Sequence, residues 1–168
     1  MKMKKNVYFF VFVLLLSLSV TSCKKDTVTT NTKTTGSASV TGTLKANLDL
    51  TNDTTQYGTP QIQYESVPQG TSITFIIDSK DLQDNPDSSY VYPKLEFNTT
   101  TGAGGAFSIT LPANSNAINA KVHFADFRYN VIVGFIGSTP ITQSQILSKA
   151  LDNVSIYNKA VIIKDYTY

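Results

Sequence analysis

The sequence predicts a mainly β protein, a single antiparallel β-sandwich with one short helix near the C-terminus. Three observations lead to this prediction. Apolar and polar residues alternate with a period of two in several short runs, clusters of turn-forming residues separate those runs, and only one segment repeats apolar residues at helical spacing. The roughly 130 residues that carry these patterns suit one domain that buries a core without disulfides.

The first strand is predicted where apolar residues occupy the even positions from Ala38 to Leu50 and mostly polar residues the odd ones. One face of such a strand packs into a core. The same alternation predicts further half-buried strands within residues 73–77, 95–97, 107–111 and 118–124. Residues 129–136 and 161–163 are apolar at nearly every position, which predicts strands covered on both faces or packed centrally.

The helix is predicted after residue 141. Thr142-Gln143-Ser144-Gln145 has the form of a capping box, and Ile146, Leu147, Ala150 and Leu151 then recur at helical spacing. We expect this apolar stripe to pack on the core.

The N-terminus has the pattern of an export signal. Lys2, Lys4 and Lys5 precede an apolar run over residues 7–16, and small or polar residues follow up to Cys23. The apolar segment is short for a membrane span, which needs about 20 residues.

Val20-Thr21-Ser22-Cys23 resembles the bacterial lipobox. The resemblance implies that residues 1–22 are a lipoprotein signal peptide and that Cys23 carries diacylglyceryl and acyl lipid, the only prosthetic group expected. It also implies a lipid-anchored protein of the cell envelope, with the outer membrane as the expected location. Periplasmic and surface-facing orientations are both compatible with the sequence.

Residues 23–37 are rich in threonine and poor in apolar side chains, which predicts a flexible tether before a domain over residues 38–168. Asp26-Thr27-Val28 and Asp53-Thr54-Thr55 resemble a short bacterial O-glycosylation pattern. The resemblance implies modification of Thr27 and Thr54.

The charge and cysteine content exclude several classes of protein. Without Lys2, Lys4 and Lys5, eleven of the fourteen basic residues remain against twelve acidic ones, so no basic surface for a nucleic acid is expected. Cys23 is the only cysteine, which excludes an internal disulfide and a thiolate zinc site.

Three stretches resemble transthyretin-like or carboxypeptidase regulatory-like modules when they are taken together. They are Val40-Thr41-Gly42-Thr43, then residues 66–75 with a Pro68-Gln69-Gly70 turn, then Gly105-Ala106-Phe107-Ser108-Ile109-Thr110-Leu111-Pro112. The resemblance covers roughly residues 38–136. It implies a prealbumin-like or immunoglobulin-like sandwich used for adhesion, ligand binding or support of a neighbour, without catalysis.

Few side chains suggest chemistry. Asp78, Asp81, Asp84 and Asp87 are the densest set of oxygen ligands and the candidates for calcium, although their spacing matches no EF-hand. His123 is the only histidine, and alternation turns it away from the core, so a solvated histidine is expected there instead of a catalytic base.

The carboxylates and the tyrosines suggest two further kinds of site, a catalytic pair and a binding surface. Asp126 with Glu65 or Glu96 would supply a glycosidase pair, but nothing in the sequence places any two of them together. The tyrosines would suit stacking on sugars or an interface with a protein. They are Tyr90, Tyr92, Tyr129, Tyr157, Tyr166 and Tyr168.

The sequence therefore predicts a membrane-anchored, exported lipoprotein with a non-catalytic sandwich that binds, adheres or scaffolds, and a glycan or a protein as its partner. Two alternatives stay open. One is an accessory to glycan hydrolysis or a carboxylate-based enzyme. The other is a structural subunit of an envelope or fimbria-like assembly, in which an edge strand pairs with a partner.

Overall fold

Strand β1 (Gly36–Ala46) is the centre of the first of the two larger sheets in the computed structural model, which describes residues 36–168. The predicted signal peptide, Cys23 and Thr27 lie outside the described residues. The other strands are β2 (Thr54–Gln56), β3 (Thr59–Gln61), β4 (Glu65–Ser66), β5 (Ser72–Asp78), β6 (Lys94–Thr100), β7 (Ala106–Ala113), β8 (Ile118–Phe124), β9 (Phe127–Ile136), β10 (Thr139–Leu147), β11 (Asp152–Ile156), β12 (Val161–Ile163) and β13 (Tyr166–Thr167).

Both edges of β1 are paired. On one edge β7 and then β4 run antiparallel to it, and on the other edge β12 and then β13 run parallel to it. Between β12 and β13 the ladder is interrupted, and the Asp165 carboxylate accepts hydrogen bonds from the backbone N–H and the hydroxyl of Thr43. These bonds lower the pKa of Asp165.

The second sheet has the order β11-β8-β5-β6, and all of its pairs are antiparallel. The two sheets face each other across one apolar core, where Phe75 of β5 lies 6.3 Å from Phe107 of β7 between ring centroids. Alternation creates this core, because every second residue of β8 is buried and His123 between them is exposed. The mainly β, largely antiparallel sandwich predicted from the sequence is confirmed, and the parallel pairs of β1 with β12 and β13 are the departures from antiparallel order.

The turn from β6 into β7 depends on Gly105. This residue has φ +70°, and a Cβ atom built on it would lie 2.3 Å from the carbonyl oxygen of Leu44. Only glycine combines a left-handed backbone with so close an approach to β1.

The predicted C-terminal helix is wrong. Thr142 to Leu147 belong to β10, which pairs with β9 through a two-residue turn, and Ala150 and Leu151 follow it outside any helix or strand. A capping box satisfies only two backbone groups of a helix, whereas pairing with β9 satisfies groups along the whole of β10. The preceding apolar strand therefore outweighs the local helical pattern.

The expectation that residues 129–136 and 161–163 are covered on both faces is also wrong. Only Val131 of β9 is fully buried, and Val161 and Ile163 are largely exposed on the outer strand β12. Strands β9 and β10 form a separate ribbon, and the described residues place no second layer over most of it. Apolar composition identified the strands correctly but not their coverage.

Candidate functional site

The chain that leaves the end of β1 is held by one carboxylate. Glu65 accepts hydrogen bonds through Oε2 from the backbone N–H groups of Leu48 (2.7 Å) and Asp49 (3.1 Å). Its Oε1 accepts a third bond of 2.7 Å from Nδ2 of Asn52. Three donors on one ionised group make this turn rigid, because hydrogen bonds to a charged acceptor are stronger than neutral ones.

A second carboxylate fixes the base of the β2–β3 hairpin. Asp53 accepts from Nδ2 of Asn47 (2.7 Å) and from the backbone N–H of Gln63 (2.8 Å), so it joins the start and the end of the hairpin. Nε2 of Gln63 donates to the carbonyl oxygen of Asn52 at 2.8 Å. The hairpin thus stands on a polar network.

The tip of this hairpin displays an aromatic ring. Tyr57 and Gly58 form a two-residue turn with φ +51° and +79°, the positive values that a type I′ turn requires. Asparagine or glycine is preferred at the first of these positions. Tyr57 occupies it instead, with 97% of its surface exposed. Tyrosine is disfavoured at positive φ, and the ring of Tyr57 packs on little of the domain. Such a residue indicates a role outside folding.

The β9–β10 ribbon is attached to the same turn. The Ile132 N–H donates to the carbonyl oxygen of Leu48 at 3.0 Å, and the Leu50 N–H donates to the carbonyl oxygen of Ile132 at 2.9 Å. Near its base, Phe127 packs edge-on against Tyr168, with ring centroids 5.0 Å apart. The base of the ribbon is therefore part of the domain.

The outer half of the ribbon exposes apolar side chains. It closes through the turn Gly137-Ser138, and Ile136 beside the turn is 75% exposed. Further large apolar residues are exposed on the ribbon and on the segments that flank the β2–β3 hairpin. They are Val133, Phe135, Ile141 and Ile146 on the ribbon, and Leu50, Ile62 and Tyr64 on those segments. We call these residues, with Tyr57 and Ile136, the hairpin surface.

The hairpin surface belongs to the end of β1 that is remote from Gly36. Lys45, near the last residue of β1, accepts a backbone hydrogen bond from Tyr168, which packs on Phe127 at the base of the ribbon. Gly36 is at the other end, paired with Ala113. Eleven residues of strand separate the two ends by about 33 Å. Gly36, the first described residue, and the hairpin surface therefore lie at opposite ends of β1.

Of the four aspartates proposed for calcium, Asp78 is the last residue of β5 and the other three lie in the β5–β6 connection. Each has a local role or is exposed. Asp78 caps a short 3₁₀ helix (Ser79–Leu82) by accepting from the Lys80 N–H. Asp87 accepts two bonds from Ser89, which lower its pKa. Within residues 36–168 no three Asp, Glu, His or Cys side chains are grouped so that they would hold a metal ion.

The other sequence candidates are dispersed. Glu65 is occupied by backbone donors, while Glu96 is exposed on β6 of the second sheet. Tyr90 and Tyr92 form an edge-on pair with centroids 4.7 Å apart in the β5–β6 connection. Thr54 begins β2 and is exposed beside the Asp53 network.

Tyr166 and Tyr168 are structural, because their rings pack on Phe124 at 4.8 and 6.2 Å. The remaining two tyrosines are separate from this cluster. Tyr129 is half-buried at the base of the ribbon, and Tyr157 is exposed beyond β11.

Sequence reasoning overlooked the hairpin surface. The available signals were Tyr57-Gly58 and Gly137-Ser138, each of which fits a two-residue hairpin turn between extended runs. The helical pattern after Thr142 obscured the second hairpin. In the described part of the chain, no helix has the length and hydropathy to cross a bilayer. No protein-family model matches this chain, and no similar protein is found among curated ones.

Proposed function

We propose that this protein is an exported lipoprotein, anchored through lipid on Cys23, whose non-catalytic sandwich binds a partner through the hairpin surface. The observation that carries this proposal is the concentration of exposed apolar side chains on two hairpins remote from Gly36. Exposed apolar residues that occur singly need no explanation, but grouped ones indicate an interaction site. Their carboxylate-bonded base would limit the loss of conformational freedom on binding.

The hairpin surface lies at the end of β1 remote from Gly36, which suits a module that is anchored through the residues before Gly36. Residues 23–35 span at most about 45 Å when fully extended. A tether that enters at Gly36 would leave the opposite end free to meet a partner of the envelope. The acidic and basic residues of the domain form no group that suggests catalysis, and adhesion or scaffolding is the function that we infer.

Anchoring is tested by labelling cells with an alkyne fatty acid. We expect label on the full chain and none on Cys23→Ser, which should also leave the membrane fraction. A matched control is Ser22→Ala, which keeps the sulfur and a small residue before it. Equal labelling of the wild type and Cys23→Ser, or no labelling of either, would contradict anchoring.

Binding is tested by photo-crosslinking in cells. A benzophenone amino acid at Tyr57 or Ile136 should give discrete adducts, while the same probe at the exposed positions Glu96 and His123 of the second sheet should give none. Adducts of equal yield at all four positions, or at none, would exclude the hairpin surface as the binding site. The mass of an adduct separates a foreign partner from a second copy.

A second candidate, a structural subunit of an envelope assembly, is favoured by the outer strand β12. Val161 and Ile163 are exposed on it, and among the described strands only β1 pairs with β12. An edge of this kind accepts a strand from a partner. The N–H of Ile162 faces β1, and those of Val161 and Ile163 face outward. This function predicts that the chain enters a large envelope complex and that Ile163→Pro, which removes an outward donor from β12, releases it.

A further inference from the structure

The edge of β10 that faces away from β9 has no partner strand among the described residues. The backbone bonds that β9 makes on its own outer edge show which N–H and C=O groups of β10 point outward. Ile132 uses both its N–H and its C=O toward Leu48 and Leu50, and Ile132 lies opposite Thr142. In an antiparallel pair, two opposite residues either exchange both bonds or both point away. The N–H and C=O of Thr142 therefore point outward, as do those of Ser144 and Ile146 at alternate positions.

Proline marks one limit of this edge. Pro140 is two residues before Thr142, so its backbone faces the same outer edge, but proline has no N–H to donate. The run from Thr142 to Ile146 therefore offers three outward N–H groups and three outward C=O groups. Within residues 36–168, only β9 pairs with β10.

The edge lacks the charges that usually protect an exposed strand. Residues 129–148 contain no Asp, Glu, Lys, Arg or His, although 15% of the chain is Asp, Glu, Lys or Arg. Charged side chains along an edge oppose pairing with another chain. Two cations flank the uncharged run: Lys149 lies two residues beyond β10, and Arg128 lies opposite Ile146 on β9.

We propose that β10 pairs antiparallel with β10 of a second copy of this chain, about a two-fold axis at Ser144. This register joins two ribbons into a four-stranded sheet with six new backbone hydrogen bonds. It places Thr142 opposite Ile146 of the second copy and Ser144 opposite Ser144 of the second copy. No charged residue of β10 is buried or opposed, so the strand edge is complementary to itself. Arg128 of β9, whose Nη1 lies 3.5 Å from the Ser144 hydroxyl oxygen, would lie near the axis in both copies.

Side chains on the other face of β10 agree with the same register. Gln143 lies opposite Gln145 of the second copy, where amide groups pair with amide groups. Ile141 lies opposite Leu147 of the second copy, an apolar pair. A shift of one residue would turn the unpaired N–H groups away from their acceptors. A shift of two residues would leave only two pairs of outward residues within Thr142–Ile146 in place of three, so the centre at Ser144 forms the most hydrogen bonds.

A second copy explains the edge better than a lipid surface does. Unpaired backbone groups are costly inside a bilayer, and Thr142, Ser144 and Ile146 would carry theirs into it. A second β10 satisfies all of them. The inference depends on the ribbon and not on lipid at Cys23, and it shares Ile141 and Ile146 of β10 with the hairpin surface.

Disulfide crosslinking of the full chain tests the register. In Ser144→Cys, opposite Cα atoms would be about 5.5 Å apart, which is within the range for a disulfide. Mild oxidation should give a species of about twice the chain mass on a non-reducing gel. The wild type, which keeps Cys23, and Ser138→Cys at the exposed turn of the same ribbon should not.

A charge added to the edge separates pairing from chance collision. Thr142→Lys in the Ser144→Cys chain should abolish the dimer, whereas Asn130→Lys, on the same face of β9, should retain it. Far-UV circular dichroism verifies that both variants fold. The proposal is overturned if Ser144→Cys forms no dimer, if Ser138→Cys forms as much, if Thr142→Lys has no effect, or if Ser144→Cys captures a different protein.

Discussion

The hydroxyl group of Tyr168, the last residue of the chain, donates a 2.7 Å hydrogen bond to the carbonyl oxygen of Ala125. Tyr166, two residues earlier, also has a buried hydroxyl group, but this one has no partner among the described residues. Both rings pack on Phe124. Two neighbouring tyrosines therefore stabilise the domain through the same kind of ring contact and differ in the state of the hydroxyl group.

Tyr168→Phe should lower the free energy of unfolding by about 1 kcal/mol, because it removes the bond to Ala125 and retains the ring. Tyr166→Phe should be neutral or slightly stabilising, because it removes a buried polar group that has no partner. Urea unfolding followed by circular dichroism measures both. A larger loss for Tyr166→Phe than for Tyr168→Phe would contradict the assigned contacts.

Alkaline pH should destabilise the domain. Burial, and secondarily the charge of Asp126, raises the pKa of Tyr168 to about 12, and burial with the charge of Asp152 raises the pKa of Tyr166. In the unfolded chain tyrosine ionises near pH 10. The unfolded state then loses protons that the folded state keeps, so stability is full below about pH 10 and falls as the pH rises toward 12. Urea midpoints between pH 8 and pH 12 measure this slope, which should be shallower in Tyr168→Phe.

Glu65→Ala should destabilise the turn after β1, because the N–H groups of Leu48 and Asp49 and the amide of Asn52 would lose a charged acceptor. We expect a loss of about 2 kcal/mol or more. Glu96→Ala, on the exposed face of β6, is the matched control and should change stability by less than about 0.5 kcal/mol. Equal effects in urea unfolding would show that the carboxylate does not fix this turn.

Tyr57→Asn should stabilise the β2–β3 hairpin, since asparagine adopts positive φ more readily than tyrosine does. The expected gain is on the order of 0.5–1 kcal/mol. Hydrogen exchange of residues 54–61 should slow correspondingly. The same change should reduce crosslinking through Ile136 if Tyr57 contributes to the hairpin surface. Faster exchange would show that the tyrosine ring itself supports the hairpin.

Gly105→Ala and Gly104→Ala form a matched pair, because the two glycines have φ +70° and +67°. A Cβ atom at Gly105 would lie 2.3 Å from the Leu44 carbonyl oxygen, whereas one at Gly104 has nothing within 4 Å. Gly104→Ala should cost only the strain of the left-handed backbone, about 1–2 kcal/mol. Gly105→Ala should cost clearly more, as measured by thermal unfolding, and equal costs would contradict the close approach to β1.

The sequence alone determined the sandwich and most of its core. Alternation at Ile73, Phe75 and Ile77, and again through β8, was sufficient because a strand that buries one face requires an apolar residue at every second position. The outward direction of His123 followed from the same alternation. These features depend on near neighbours in the chain, which a sequence pattern records directly.

Only the tertiary structure decided the identity of β10 and the exposure of the ribbon. The residues after Thr142 satisfy a helical pattern as well as an extended one, and pairing with β9 made the choice. Whether Ile136 or Val161 is covered depends on where other strands lie. The residue type alone does not distinguish a buried apolar side chain from an exposed one. The free edge of β10 likewise follows from the bonds of Ile132 to Leu48 and Leu50, which join segments more than eighty residues apart in the chain.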